Sequence, residues 1–138
     1  MKTAPRIGAV GEQKFVVDTP HVIHFAREGM PPVLSTPSLA WFLEHAAIAV
    51  LTPCLEPGEC SVGSEIELQH LAPTPPGCTV ICRARVIQVE GAAIAFQLEA
   101  EDDLEKIARG FHKRWIVQVS RFNARIGKKL RPPKPATG

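Results

Sequence analysis

The most informative pattern of apolar positions lies between residues 35 and 52. Apolar residues recur there every three or four positions, the spacing of a packed helix: Leu39, Phe42, Leu43, Ala46, Ala47 and Val50. The opposite side carries Trp41, Ile48 and Leu51. Because the segment is apolar nearly all round, it is predicted to be a helix that the rest of the fold encloses.

Both ends of this helix are marked in the sequence, and a carboxylate lies in its middle. Thr36 is predicted to cap the first turn, which Pro37 occupies, and the helix is expected to end before Pro53. Glu44 interrupts the apolar stripe. A carboxylate halfway along an enclosed helix is costly unless it is paired. Glu44 is therefore the first candidate for chemistry.

Alternating residues predict an antiparallel sheet around this helix. Strands are expected over residues 13–25 (one strand, or a pair of short strands broken near Pro20), 61–71, 79–90, 93–101 and 106–119. In the second of them, Val62, Ser64, Ile66, Leu68 and His70 share the face turned to the helix, and Gly63 lies on the other face. Four or five such strands and one long helix make an α+β domain. By analogy of element order, this is the hotdog fold, a curved antiparallel sheet wrapped around one central helix.

Composition and charge divide the chain into a hotdog domain, residues 1–120, and a basic C-terminal tail, residues 121–138. Of 138 residues, 45% are hydrophobic and 22% charged, as in one globular domain. All 14 acidic and ten basic residues precede residue 121, so the domain carries −4 and the tail +6. The tail is predicted to be solvated and partly disordered. Contact with nucleic acid is not expected, because no aromatic residues are interleaved with the basic ones in a binding pattern.

The sequence predicts a cytoplasmic protein without a membrane partner, metal or cofactor. No apolar run approaches the roughly 20 residues of a membrane span, and the first residues lack the apolar core of a secretory signal. His21 and His24 are three residues apart on a predicted strand, a poor spacing for two metal ligands. Four cysteines without a C-x-x-C pair are expected to be buried or half-buried free thiols: Cys54, Cys60, Cys78 and Cys82.

Three polar side chains are candidates for acyl chemistry: Thr36, Glu44 and His70. Thr36 and Glu44 are separated by a rise of about 12 Å along one helix, so they cannot touch within one chain. Two copies of the chain could bring Glu44 or His70 of one near Thr36 of the other. Acyl hydrolysis also needs N–H donors for the oxyanion, which the bare backbone at Gly63 could supply. A structural role for His70 is the alternative.

Several short motifs follow one another in a register that spans most of the chain. They are Ser35-Thr36, Trp41, Glu44, Leu-Glu-Pro-Gly-Glu at 55–59, Ser-Val-Gly at 61–63, His70, Thr-Pro-Pro-Gly at 74–77, Val-Glu-Gly at 89–91, His-Lys-Arg at 112–114 and Arg-Phe-Asn-Ala at 121–124. In these motifs the chain resembles the fluoroacetyl-CoA thioesterase family of hotdog proteins.

The resemblance implies a metal-free acyl-CoA thioesterase that works as a homodimer, with the active site at the interface. It implies Glu44 as nucleophile or general base, His70 as its acid/base partner and Thr36 as hydroxyl donor or relay. Which of Glu44 and Thr36 attacks the carbon stays open. It further implies that the Gly63 N–H polarises the thioester carbonyl and that Arg114 lines the acyl pocket. An ion pair with a carboxylate such as Glu44 is the alternative for Arg114.

The loop before the helix departs from the family pattern. The fluoroacetyl-specific enzyme gates its pocket with phenylalanines there, whereas this chain reads Arg-Glu-Gly-Met-Pro-Pro-Val over residues 27–33. Met30 is flexible and apolar and is expected to contact the acyl group. An ordinary short or medium acyl-CoA is therefore the expected substrate, and fluoroacetyl-CoA is not. The alternative function is a non-catalytic acyl-CoA-binding hotdog module. A hydratase on the same fold is disfavoured, because the Asp/His pair it would use is not found.

Overall fold

The computed structural model describes residues 1–23 and 28–130. Its main elements are β1 (Val10–Val16), α1 (Thr36–Leu51), β2 (Glu59–His70), β3 (Thr79–Glu90), β4 (Ala93–Glu101), β5 (Lys106–Gln118) and α2 (Val119–Lys129). The five strands form one antiparallel sheet in the order β1-β3-β4-β5-β2, and α1 packs against it. The predicted α+β architecture is thus present. The expectation for His24 lies outside the described residues.

The first predicted strand is shorter than expected. β1 ends at Val16, and Asp18 caps a 3-10 turn, Thr19–His21, in which the backbone leaves the sheet. His21 therefore lies in a turn and not on a strand. Its carbonyl accepts a hydrogen bond from the Ser35 N–H at 2.7 Å, which ties this turn to the start of α1.

The cap of α1 is Ser35, and the prediction of Thr36 as cap is wrong. Ser35 Oγ accepts a hydrogen bond from the Ser38 N–H at 3.3 Å. Thr36 is consequently the first helical residue, and its hydroxyl remains available for another partner. Pro37 lies in the first turn as predicted, and the helix ends two residues before Pro53.

Only one side of α1 is enclosed, so the prediction of a helix covered all round is wrong. Its buried residues are Leu39, Leu43, Ala46, Ala47 and Leu51. Trp41, on the other side, is 55% exposed, and Ile48 is half-buried. The reason is geometric: a single five-stranded sheet covers one flank of the helix and leaves the other open. Glu44 lies towards this open flank, with 40% of its side chain exposed.

A β-bulge at Ser64 reverses the alternation of side chains along β2. The residues on either side of Ser64 pair with two consecutive residues of β5, so Ser64 is an additional residue in the strand. Residues before the bulge are therefore out of phase with those after it. Gly63 lies on the helix-facing side together with His70, and the prediction that they lie on opposite faces is wrong.

The other β2 residues that were predicted to face the helix differ in direction before and after Ser64. Val62 pairs with Trp115, which is 46% exposed, and both lie on the outer face. Beyond the bulge, Ile66, Leu68 and His70 keep the predicted inward direction. On β5 the inner face carries the polar residues His112 and Arg114, which are buried, whereas the aromatic Phe111 is exposed on the outer face.

The first part of the predicted tail is a regular helix. α2 extends from Val119 to Lys129, and all of its residues are exposed. The prediction of a partly disordered tail is therefore wrong for this segment. Its sequence is amphipathic: the apolar side carries Val119, Phe122 and Ile126, and the basic residues lie on the remaining surface. Residues 131–138 lie outside the described residues.

The four cysteines differ in their surroundings and form no disulfide. Cys82 is buried in β3, and burial raises the pKa of its thiol to about 12. Cys60 is exposed on β2, which corrects the expectation that all four thiols are buried or half-buried. The thiolate is the reactive form, so exposure and pKa together set reactivity.

We expect Cys60 to react first with an aromatic disulfide reagent at a pH of about 8, and Cys82 to react only after unfolding. A stopped-flow absorbance measurement of thiol modification on the native protein checks this. Cys60→Ser should remove the fastest phase, and Cys82→Ser should leave it unchanged. Loss of the fast phase in Cys82→Ser would contradict the assignment.

Candidate active site

The start of α1 and the end of β2 bring two of the predicted site residues together. Thr36 Oγ1 lies 2.9 Å from His70 Nδ1, although the two residues are 34 positions apart. The pairing arises because α1 and β2 run in opposite directions, so the first residue of the helix lies beside the last residue of the strand. The cap at Ser35 leaves the Thr36 hydroxyl free to make this contact.

The environment of His70 favours its neutral form. Burial is the main cause that lowers the pKa of His70, and a backbone group of Ala72 acts in the opposite direction. The Nε2 atom is buried and has no hydrogen-bond partner among the described residues. A neutral imidazole can accept a proton from a hydroxyl group, so the Thr36–His70 pair has the composition of a general acid/base pair.

Glu44 belongs to a second cluster, two turns further along α1. Nη1 of Arg114 donates a hydrogen bond to Glu44 Oε2 at 3.0 Å. The Arg114 side chain is only 5% exposed. Its Nε and Nη2 donate to the hydroxyl and the carbonyl oxygen of Ser61 at 2.9 and 3.0 Å. The ion pair with Glu44, considered as the alternative for Arg114, is therefore present, and the contact with an acyl group stays a prediction.

The second cluster contains His112, which was not among the site residues predicted from the sequence. It is 3% exposed, and its Nδ1 lies 2.7 Å from the carbonyl oxygen of Glu65. Its Nε2 lies 3.2 Å from Nη1 of Arg114. Burial is the main cause that lowers the pKa of His112; the charge of Arg114 adds to it, while the Glu65 carbonyl and Glu44 oppose it. The alternation of β5, which places His112 on one face with Arg114, is the signal that could have found it.

Gly63 completes this cluster because it has no side chain. A Cβ atom at this position would lie 3.2 Å from Glu44 Oε2 and from His112 Cε1, and 3.3 Å from Arg114 Nη1. These distances are shorter than ordinary contacts of a methyl group, so a side chain at this position would require the neighbouring groups to move by a few tenths of an ångström. A cavity of about 300 Å³ opens beside it, lined by Glu44, Gly63, Ser64, Glu65, Ile66 and His112.

One chain does not bring all the predicted catalytic residues together. Thr36 and Glu44 are separated by a helical rise of about 12 Å. His70 and Gly63 are separated by about 20 Å along the strand, because Ser64 is an additional residue and their partners on β5 are six residues apart. The chain therefore presents two separate groups of candidate residues, called half-sites below: one with Thr36 and His70 and one with Glu44 and Gly63. Met30, predicted to bind substrate, is 63% exposed and does not line the cavity beside Glu44.

The first half-site offers a hydroxyl and an imidazole group, and the second offers a carboxylate with the guanidinium of Arg114 and the imidazole of His112 beside it. Within residues 1–23 and 28–130, histidine, cysteine and carboxylate side chains form no group of three or more that could hold a metal ion. In the same part of the chain, neither helix has the length and apolar character needed to cross a membrane.

Comparison with known proteins identifies the family. The sequence model of the fluoroacetyl-CoA-specific thioesterase family matches residues 17–120. The chain belongs to this family. A fluoroacetyl-CoA thioesterase from Streptantibioticus cattleyicolor is 35% identical over 136 residues, which cover 94% of this chain and 97% of that protein. The family and the reaction class predicted from the sequence, a thioester hydrolase, are thereby confirmed.

Solved structures support the same assignment. A point mutant of the fluoroacetyl-CoA-specific thioesterase FlK superposes with a TM-score of 0.85 at 32% identity, covering 93% of this chain and 99% of that one. A Thermus thermophilus thioesterase superfamily member gives a TM-score of 0.85 at 26% identity, with coverages of 91% and 93%. A hot-dog-like protein from Thermanaerovibrio acidaminovorans, at 22% identity and a TM-score of 0.84, has the same fold over 91% of this chain and 93% of its own. The predicted hotdog fold is confirmed.

The lowered pKa values of His70 and His112 predict that stability decreases in acid. Below their ordinary pKa of 6.5, the unfolded chain binds protons that the folded protein resists. The free energy of unfolding should therefore be at its full value above a pH of about 6.5 and fall as the pH drops through the lowered folded values.

Urea unfolding at several pH values from about 7.5 to about 5 measures this dependence. The double variant His70→Asn/His112→Gln should show a shallower decrease than the wild type, because two of the responsible groups are gone. Equal slopes in the two proteins would contradict the assignment of the effect to these histidines.

Proposed function

We propose that this chain hydrolyses a short or medium acyl-CoA to the free acid and coenzyme A, by a metal-free Thr/Glu/His mechanism shared between two copies of the chain. The observation that carries the proposal is the 2.9 Å contact between the Thr36 hydroxyl and His70. It pairs a hydroxyl with a neutral imidazole on the same inner surface as a carboxylate, Glu44, and a bare backbone, Gly63.

The Thr36–His70 pair supports proton transfer in this mechanism. Hydrolysis forms a bond between the thioester carbon and an oxygen of water, and breaks the bond between that carbon and sulfur. The proton that the water loses passes through a base to the thiolate of coenzyme A. His70, held by Thr36 and neutral because of its burial, is suited to accept and return that proton.

Glu44 supports two routes to the same products. It can act as a general base that activates water, or its carboxylate can attack the thioester carbon, expel coenzyme A as the thiolate and form an anhydride that water then hydrolyses. In a third route, the Thr36 hydroxyl loses its proton to a base and attacks the same carbon, coenzyme A leaves with that proton, and water hydrolyses the resulting ester. Arg114 binds one carboxylate oxygen of Glu44. Because 40% of the Glu44 side chain is exposed, its carboxylate is accessible to a substrate on the open flank of α1.

Gly63 supports stabilisation of the developing oxyanion. A backbone N–H can polarise the thioester carbonyl only where a carbonyl group can approach it closely. A Cβ atom at Gly63 would fill the space between the side chains of Glu44 and His112. The absence of a side chain therefore keeps this approach open.

The edge of the sheet supports a homodimer. β2 is an edge strand with β5 on one side only, and an unpaired edge is a site for pairing with another strand. A two-fold axis near the middle of β2 would pair it antiparallel with its copy. The end that carries His70 and Thr36 in one copy would then lie beside the part that carries Gly63 and Glu44 in the other. The two half-sites would combine into one site, twice per dimer.

The substrate proposal rests on the loop before α1 and on solved relatives. A FlK mutant was solved in complex with acetyl-CoA, and another with fluoroacetate and coenzyme A. The loop of this chain contains no aromatic residue over positions 27–33, and Met30 is 63% exposed. A flexible thioether in place of aromatic rings suits acyl chains of varying length. Coenzyme A phosphates are suitable partners for the basic residues of α2.

We expect measurable release of coenzyme A from at least one member of a panel of acyl-CoAs, acetyl to octanoyl with fluoroacetyl and phenylacetyl, and no preference for fluoroacetyl-CoA. Glu44→Gln and His70→Ala should each lower kcat by at least about 100-fold, because each removes a base or proton carrier. Glu67 is an exposed carboxylate on the outer face of β2, the strand that also carries His70. Glu67→Gln is therefore the matched control and should keep full activity.

All of these proteins should carry Cys60→Ser in addition, because a reagent that detects the thiol of released coenzyme A would also react with the exposed thiol of Cys60. If the folded wild-type protein hydrolyses none of these substrates, the proposal that it hydrolyses a short or medium acyl-CoA is overturned. Acyl-CoA binding by that inactive protein, measured by calorimetry, would then favour the alternative, a non-catalytic binding module.

Mixing two variants that should each be inactive alone, Thr36→Ala and Glu44→Gln, tests the shared site. Thr36→Ala and Glu44→Gln lie in different half-sites, so a mixed dimer would contain one site with both residues intact and one with both changed. Co-refolding equal amounts should restore about one quarter of the wild-type activity, because half of randomly paired dimers are mixed. Thr52→Ala, a hydroxyl change at the other end of α1, should be active alone. A mixture as inactive as its components, at a mass near twice 15.0 kDa, would overturn the shared site.

A further inference from the structure

We infer that His112 is a positioning residue of this site: its neutral imidazole, protonated at Nδ1, orients the guanidinium of Arg114 and through it the carboxylate of Glu44. The inference rests on the proposed function of Glu44. His112 itself is nearly fully buried between the sheet and the cluster, and it is connected to Glu44 through Arg114.

The hydrogen bonds of His112 determine which nitrogen carries the proton. The carbonyl oxygen of Glu65, 2.7 Å from Nδ1, can only accept a hydrogen bond, so Nδ1 must carry a proton. Nη1 of Arg114, 3.2 Å from Nε2, can only donate, so Nε2 must carry a lone pair. Only one neutral tautomer satisfies both contacts, and the backbone of β2 fixes it.

Arg114 is held by acceptors on three sides. Its Nε and Nη2 donate to Ser61, and its Nη1 carries two N–H groups that are directed to Glu44 Oε2 and to His112 Nε2. Four of the five guanidinium N–H groups thus have an acceptor. Without the lone pair of His112, Nη1 would retain only the partly exposed carboxylate as a partner. The guanidinium would then be held by Ser61 on one side only, so that Nη1 and the carboxylate of Glu44 could shift together.

The other groups that face His112 agree with a neutral ring. The charged groups next to it are Arg114 and Glu44, and the ring of Phe96 on β4 lies 6.2 Å away between ring centres. The Glu65 side chain is exposed, and only its backbone carbonyl meets the imidazole. A second proton, on Nε2, would make the imidazole positively charged. It would place two hydrogen-bond donors and two positive charges, those of His112 and Arg114, against each other at a buried position, which is strongly unfavourable.

Two amide substitutions separate the two contacts of His112. In His112→Gln, the longer side chain places an amide oxygen near the position of Nε2, where it can accept from Arg114. In His112→Asn, the shorter side chain places its NH₂ group near the position of Nδ1, where it can donate to Glu65, and it offers Arg114 no acceptor. The first variant keeps the contact that positions Arg114, and the second keeps the contact that is purely structural.

We expect kcat for the best acyl-CoA to fall by at least about tenfold in His112→Asn with KM little changed, and to stay within about threefold of wild type in His112→Gln. Thermal melting of both variants shows whether a loss follows stability. Wild-type kcat in His112→Asn would overturn the inference. The inference would also be overturned if kcat decreased equally in both variants and in proportion to the decrease in their melting temperatures.

A measurement without substrate keeps the inference testable if the variants fold poorly or no thioester is turned over. In wild-type protein with ¹⁵N-labelled histidine and arginine, we expect the His112 ring to show a protonated Nδ1 and an unprotonated Nε2 at neutral pH. The Nη1 protons of Arg114 should exchange slowly with water. A proton on Nε2, or fast exchange at Nη1, would overturn the inference. An inactive wild type with the expected spectrum would instead count against the proposed function alone.

Discussion

The arrangement of the site depends on a single additional residue in β2. Side chains on a strand alternate with a period of two, so Gly63 and His70, seven positions apart, would face opposite sides of a regular strand. The bulge at Ser64 shifts the phase by one residue and turns both towards α1. Ser64 Oγ donates to the carbonyl oxygen of Lys113 at 3.2 Å, which attaches the bulge to β5. Without this irregularity, Gly63 could not belong to the cluster of Glu44 and Arg114.

A second constraint is the cost of burying Arg114. A buried guanidinium is tolerated only when acceptors surround it, and Ser61, His112 and Glu44 provide them. Only Glu44 among these partners extends to the open flank of α1. The arginine is therefore fixed from within the fold, while the carboxylate that it holds remains accessible. Rigid support on one side and exposure on the other are what a group that acts on a substrate requires.

The sequence predicted the regular parts of the fold closely. The predicted strands over residues 79–90 and 93–101 coincide with β3 and β4: the apolar positions of β4 alternate cleanly, and Gly91, with φ of 59°, marks the turn between the two strands. The bulge left no trace in the pattern, since Gly63 has no side chain and Ser64 is polar on either face. The sequence also did not reveal that one flank of α1 is exposed. An apolar residue such as Trp41 gives the same sequence pattern whether its own chain or another surface covers it.

His112 was missed for a different reason. The alternation of β5 places His112 on one face with Arg114, but it does not show what the imidazole contacts, because only the folded chain supplies those partners. One partner is the backbone of β2, and the other is the side chain of Arg114 on its own strand. The bulge that separates Gly63 from Glu65 places that backbone carbonyl within reach of the ring. The irregularity that brings Gly63 to the inner face thus also determines the tautomer of His112, so strand geometry and proton position in this site have one common cause.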